Sequence, residues 1–198
     1  MNIPKLRKEK TVKKYHGEYE LVDDYAYVDQ PHNILEVLQD PGKILPEVRK
    51  YLEENNKLTE EYFQDSKILQ KKLFSEIKSK IKLADETLKF KDDRYFYWSK
   101  TVENGNYRKY LRQKIGSSDI EIYFDADKEK ELSGSKYFGL GSVSVSHNDK
   151  ILAYSLDLKG SEYYDIFLRD LNTNKLLEEK IEKTSGSITW SLDSKSFF

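Results

Sequence analysis

Cysteine is absent from the 198 residues. That removes disulfides, thiol nucleophiles and Cys-ligated zinc together. Histidine is scarce: His16, His32 and His147 lie far apart without paired-ligand spacing. Each is therefore read as a surface or turn residue rather than a metal ligand. No sign of charge dominates, since 34 Lys and Arg face 35 Asp and Glu, for a formal net charge of -1. This balance argues against a nucleic acid or anionic membrane as a partner recognised by bulk electrostatics. No apolar run approaches the roughly 18 residues needed to cross a bilayer. The basic N-terminus, MNIPKLRKEKTVKKYHG, lacks the apolar centre of a secretory signal. A cytoplasmic protein is the expectation. Lys5, Arg7, Lys8, Lys10, Lys13 and Lys14 are read as a solvated, mobile arm in preference to a phosphate-binding patch.

The common signatures of catalysis are missing as well. A nucleophile elbow needs Gly-x-Ser-x-Gly, which neither Gly139-Leu140-Gly141-Ser142 nor Ser185-Gly186-Ser187 provides. Neither standard Gly-rich phosphate loop occurs. Ser146, His147 and Asp149 fall in one tight turn, where a base cannot reach a nucleophile in triad geometry. Hence no residue is assigned a catalytic, cofactor-binding or metal-ligating role, and no cofactor is expected.

What the chain does contain changes character near its middle. From about Asn33 to Leu83 the apolar spacing is helical. Leu45, Val48, Leu52 and Tyr62 fall on one side of a 3.6-residue helix that Pro46 can open, and Leu69, Leu73, Ile77 and Ile81 recur every four residues. Both stripes are read as packing surfaces, with Asp40-Pro41-Gly42 as a turn between segments. After about Phe90 the helical spacing disappears. RYFYWS (Arg94–Ser99), YRKYLRQ (Tyr107–Gln113), DIEIYFD (Asp119–Asp125), GSVSVS, KILAYSLD and EYYDIFLRDL read as short strands, broken by Asn104-Gly105, Gly116-Ser117 and Asn172-Thr173-Asn174.

An internal repeat organises these strands. GSVSVSHNDKIL starts at Gly141 and GSITWSLDSKSF starts 45 residues later, at Gly186. Ser146 matches Ser191, Asn148 matches Asp193, and Lys150 matches Lys195. A weaker copy, KDDRYFYWS (Lys91–Ser99), aligns with HNDKILAYS (His147–Ser155). Periods of roughly 40–50 residues suit four-stranded propeller blades, which cannot bury both faces alone and must stack. The alternative is a sandwich with two similar hairpins. The fold expected is mainly β with an N-terminal α-helical segment: an arm and helical segment over 1–88, and an incomplete β-propeller over 89–198. Arg94–Phe124 makes one blade, Leu140–Ile181 a second, and Ser187–Phe198 begins a third.

Several segments, in order along the chain, resemble the N-terminal portion of the prolyl oligopeptidase family of serine peptidases. They are HGEYELVDDYAYVDQ (His16–Gln30), VRKYLEENNKLTEEY (Val48–Tyr62), LQKKLFSEIKSKIKLADET (Leu69–Thr87), FGLGSVSVSHNDKILAYSLDLKGSEYYDIFLRDLNTNKLL (Phe138–Leu177) and SGSITWSLDSKSFF (Ser185–Phe198). The SGS-x-x-W pattern resembles the oligopeptidase B (protease II) branch. The chain departs from the family where a proline is usual, at Thr87-Leu88-Lys89-Phe90 and in the blade turn His147-Asn148-Asp149-Lys150. The resemblance implies a seven-bladed propeller capping an α/β-hydrolase domain, with the helical segment wrapped against that domain. It implies a propeller that admits short peptides, cleavage after Lys or Arg, and a catalytic triad in the C-terminal domain. Asp23, Asp24 and Glu162 match motif positions and are read as structural ties, with an acidic cluster attracting basic peptides as the functional alternative. The chain is thus expected to be a non-catalytic fragment, either one half of a split enzyme completed by an α/β-hydrolase partner chain or the remnant of a decaying gene. A free-standing module that closes its propeller by self-association is the alternative.

Overall fold

The computed structural model describes residues 3–17, 19–29, 36–37 and 40–198, which form two units, 1–81 and 82–198, each taken by itself below. Asn33, where the helical spacing begins, and His32 lie outside the described residues.

In the first unit, strands β1 (Thr11–Tyr15) and β2 (Tyr19–Asp23) pair antiparallel around His16 and Gly17, both at positive φ. The basic arm is solvated, and two of its cations reach carboxylates. Arg7 Nε donates to both oxygens of Glu47, at 3.0 and 2.9 Å, and the guanidinium lies 4.5 Å from the Tyr27 ring centre. Lys8 Nζ pairs with Asp24 at 3.0 Å, and Glu9 N donates to Asp24 O. Within the run read as a solvated, mobile arm, Arg7 and Lys8 thus pair with carboxylates 40 and 16 residues away.

Helix α1 spans Pro46–Tyr62, with Pro46 in the first turn where its missing N–H has no helical partner. Val48 is buried, whereas Leu52 and Tyr62 are exposed. Helix α2 (Lys67–Ser79) ends in bonds from Lys80 N to Ile77 O and from Ile81 N to Lys78 O, so Ile81 lies past its end. Its stripe of Leu69, Leu73 and Ile77 is 56%, 47% and 61% exposed. The periodicity is present, but no partner covers it among the described residues.

The second unit holds two four-stranded antiparallel sheets. Blade 1 comprises β3 (Phe90–Asp92), β4 (Tyr95–Lys100), β5 (Lys109–Lys114) and β6 (Ile120–Asp125). Blade 2 comprises β7 (Gly139–Val145), β8 (Ile151–Asp157), β9 (Tyr164–Asp170) and β10 (Lys175–Thr184). In each sheet the strands follow chain order from one edge to the other, as a propeller blade requires. Neither sheet closes on itself, which excludes a closed barrel and agrees with an incomplete propeller. Strand β8 is buried along almost its whole length, from Leu152 to Asp157, because both its faces are covered. The core gathers Tyr97, Tyr123, Phe124, Leu152, Tyr154 and Leu156, drawn from both sheets.

Blade 1 is joined to blade 2 through helix α3 (Ala126–Ser133), although helical spacing was expected to end before Phe90. Asp125 caps α3 by accepting from Lys128 N, Asp127 and Glu129 occupy its first turn, and Gly134 closes it at φ 60.

The repeat reappears bond for bond. Ser146 N donates to Ile151 O, as Ser191 N donates to Ser196 O. Ser146 Oγ donates to Asn148 Oδ1 and Ser191 Oγ to Asp193 Oδ1, each at about the same length (2.8 and 2.7 Å). The same side-chain oxygens accept from Lys150 N and Lys195 N. Asp149, Ser194 and, in the weaker copy, Asp93 all take left-handed φ values. Small polar residues meet that demand by bonding locally. The bridge Trp190–Phe197 closes the third hairpin. Tyr164 is held between repeat-equivalent glycines: a Cβ on Gly141 would fall 3.0 Å from its ring, and one on Gly186 would fall 2.7 Å from it.

Candidate functional site at the blade seam

Two groups of hydrogen-bonded polar side chains flank blade 2, one where it meets blade 1 and one where it meets α3. In the first, blade 1 grips the β7–β8 turn. Arg94 Nε and Nη2 reach Asp149 Oδ2 at 2.9 and 2.7 Å, and Nη2 also donates to Asn148 O at 2.6 Å. Tyr97 OH donates to Asp149 Oδ1 at 2.8 Å, and Arg112 Nη1 donates to Asp149 O at 3.0 Å. Arg112 is itself forked onto Glu121 and lies 4.7 Å from the Tyr95 ring centre. Burial alone would lower the pKa of Arg112, but the Glu121 carboxylate outweighs it and the net shift is upward. Burial, and then the bond to Asp149, hold the Tyr97 phenol well above its usual value, so it stays a donor.

A second group lies where α3 meets blade 2. Arg169 Nη2 donates to Glu129 Oε1 at 2.6 Å and to Tyr154 OH at 3.2 Å, while Tyr154 OH donates to Glu129 Oε2 at 3.3 Å. Both charged side chains are largely buried. Burial, followed by the Glu129 charge, pushes the Tyr154 phenol up to about 12. These groups flank a cavity of about 400 Å³ whose other walls include Leu132, Leu156, Phe167 and Leu176. A paired cation and carboxylate beside apolar walls can bind and orient, but they supply neither a nucleophile nor an activated base.

Of the residues singled out in the sequence, Asp149 falls in the seam and the others do not. His147 is exposed in the β7–β8 turn, and His16 is exposed in the β1–β2 turn. Ser146 and Asp149 are committed to turn and seam bonds. Asp23 accepts from Tyr25 N, Asp24 pairs with Lys8, and Glu162 sits at φ 61 with its N–H on Asp157. Sequence reasoning missed Glu129 and Tyr154. The usable signal for Glu129 was the cap Asp125 and the stop Gly134 on either side of it.

The joint between β6 and α3 supports a pH prediction. Asp125 is nearly buried, accepts from Lys109 Nζ at 2.7 Å and caps α3. Burial pushes its carboxyl up, but Lys109 and the Lys128 N–H outweigh that, and the net shift is downward. Its stabilising contribution is therefore complete above the ordinary carboxylate pKa and lost as the pH falls through the depressed folded value. Urea midpoints measured at pH 7 and at progressively lower pH should fall less steeply for Asp125→Asn than for the wild type.

A model of the family described as prolyl oligopeptidase, N-terminal beta-propeller domain, matches residues 4–198. The chain belongs to this family. Among relatives of the propeller domain, dipeptidyl aminopeptidase BI of Pseudoxanthomonas mexicana is 25% identical over 97% of this chain and 27% of its own length. Protease 2 of Moraxella lacunata is 22% identical over 96% of this chain and 26% of its own length. A solved structure of prolyl oligopeptidase B from Galerina marginata, bound to a 35mer substrate, superposes with a TM-score of 0.73 at 19% identity, over 99% of this chain and 29% of that one. The chain thus spans about a quarter of the length of the curated relatives it matches. Among the described residues, no helix is long and apolar enough to cross a membrane.

Proposed function

We propose that this chain is the N-terminal, non-catalytic part of an oligopeptidase B-like serine peptidase of the cytoplasm. Residues 89–198 contribute to a propeller that gates short peptides, and residues 1–88 form the arm and helical segment. Cleavage after Lys or Arg is then the work of an α/β-hydrolase partner. One observation carries this reading: the propeller-domain match covers residues 4–198 while the chain spans about a quarter of its relatives. The sequence, with no Gly-x-Ser-x-Gly, and the uncovered α2 stripe agree with it. Purified chain, given a fluorogenic peptide with Arg before the reporter, should release no product above buffer. It should also take no label from a serine-directed fluorophosphonate. Product release together with labelling would place the nucleophile in this chain and end the reading.

A second reading, a self-associating module without peptidase activity, is favoured by Leu192 and Phe198 on the third hairpin, both more than four-fifths exposed. Sedimentation velocity separates the two. A defined closed oligomer supports the module, whereas a monomer supports the peptidase part.

A further inference from the structure

Blades of a repeat fold contact only their neighbours, so each can open separately unless its interface energy rivals its internal energy. The seam described above has an apolar centre, where Phe124 of blade 1 meets Tyr154 of blade 2 at 4.8 Å between ring centres. Apolar contact alone is non-directional. What fixes the direction is two sets of charged bonds, one between the blades and one between blade 2 and α3, the helix that directly follows β6 of blade 1. The first joins Arg94, Tyr97 and Arg112 of blade 1 to Asn148 and Asp149 of blade 2. The second joins Glu129 of α3 to Arg169 and Tyr154 of blade 2. We propose that these two sets form a double electrostatic clasp that makes blades 1 and 2 open and close as one unit.

Three features of the geometry support the clasp. The sets lie on different elements, so a sliding or tilting motion that spares one must break the other. Each is charge-assisted and partly buried, the class of bond that costs most to leave half-made. The Asp149 carboxylate is shared between Arg94 and Tyr97, so loosening the turn strands two donors at once. By contrast, the contacts from blade 2 to the third hairpin include neutral bonds: Asn148 N to Ser194 Oγ, Ser155 Oγ to Gly186 O, and Trp190 Nε1 to Ser144 O.

Native-state hydrogen exchange on the full chain tests this. In the wild type, the slowest amides of β4–β5 and those of β8–β9 should share one opening free energy. In Asp149→Asn with Glu129→Gln, which keeps shape and the left-handed turn, β8–β9 should exchange about tenfold or more faster relative to β4–β5. Asp165→Asn, which alters only bonds inside blade 2, to Lys180 and to Lys183 N, should leave the two sets together. Should the double variant not fold, each single variant must show the divergence in smaller measure. Separate opening of the two blades in the wild type, or undiminished coupling in the folded variants, overturns the proposal.

Discussion

Replacing Phe124 with alanine should destabilise the second unit by about 3–5 kcal/mol, the range for emptying a well-packed aromatic site. Phe124 is 1% exposed, the largest side chain so fully buried. Its ring lies 5.8 Å from Tyr110 within blade 1 and 4.8 Å from Tyr154 across the seam. Tyr154 in turn stacks on Phe167 at 5.5 Å, and Tyr110 faces Tyr123. The cavity left by alanine would therefore have rings on several sides. Rings tied by hydroxyl bonds, such as Tyr154 to Glu129 and Arg169, cannot swing in to fill it. Phe124→Leu keeps most of the volume and should cost about 1–2 kcal/mol. Urea unfolding followed by tyrosine and tryptophan fluorescence gives both values. A loss under about 1 kcal/mol for the alanine variant would show that the two sheets do not share one core.

The strands could be read from the sequence because alternation and turn chemistry act locally. RYFYWS, KILAYSLD and EYYDIFLRDL fall on β4, β8 and β9 within a residue or two of the observed ends. The repeat was readable for the same reason, since the Ser146–Asn148 and Ser191–Asp193 turns are each closed by bonds reaching at most five residues. The β1–β2 hairpin went unrecognised because its lysines suggested a solvated run. The alternation that makes it a strand pair is carried by side chains that stay exposed. Helix α3 has eight residues and only Ala126 buried, too little for any periodicity to register. The stripe on α2 shows the limit of periodicity from the other side. It states that a face needs cover, not where the cover comes from. The clasps are the least legible feature, because pairs such as Arg94–Asp149 and Glu129–Arg169 join residues 55 and 40 positions apart. Nothing local distinguishes such a pair from any two solvated charges.

Replacing Asp157 with alanine is expected to cost about 3–4 kcal/mol, for a reason unrelated to packing volume. Asp157 ends β8 at 2% exposure, and its carboxylate accepts three backbone N–H groups: Lys159 and Gly160 on Oδ1, and Glu162 on Oδ2, at 2.8, 2.9 and 2.8 Å. Those bonds hold the 158–163 loop in a shape it would not otherwise keep, with Gly160 at φ 77 and Glu162 at φ 61. A left-handed glutamate is disfavoured by the clash of its Cβ, so the third bond must offset that strain. Alanine strands all three donors at once and frees the strain. Asparagine keeps the acceptor for Lys159 and Gly160 but turns an amide N–H₂ toward Glu162 N, so it should cost about half as much. The two variants also differ in where the damage falls: limited proteolysis should cut Asp157→Ala within 158–163 before the sheets unfold, and cut Asp157→Asn there more slowly. If the alanine variant keeps both its urea midpoint and its resistance to cleavage, the loop is held by something other than this carboxylate. The placement of KGSEYY (Lys159–Tyr164) against the strand would then have to come from Tyr164, packed between Gly141 and Gly186.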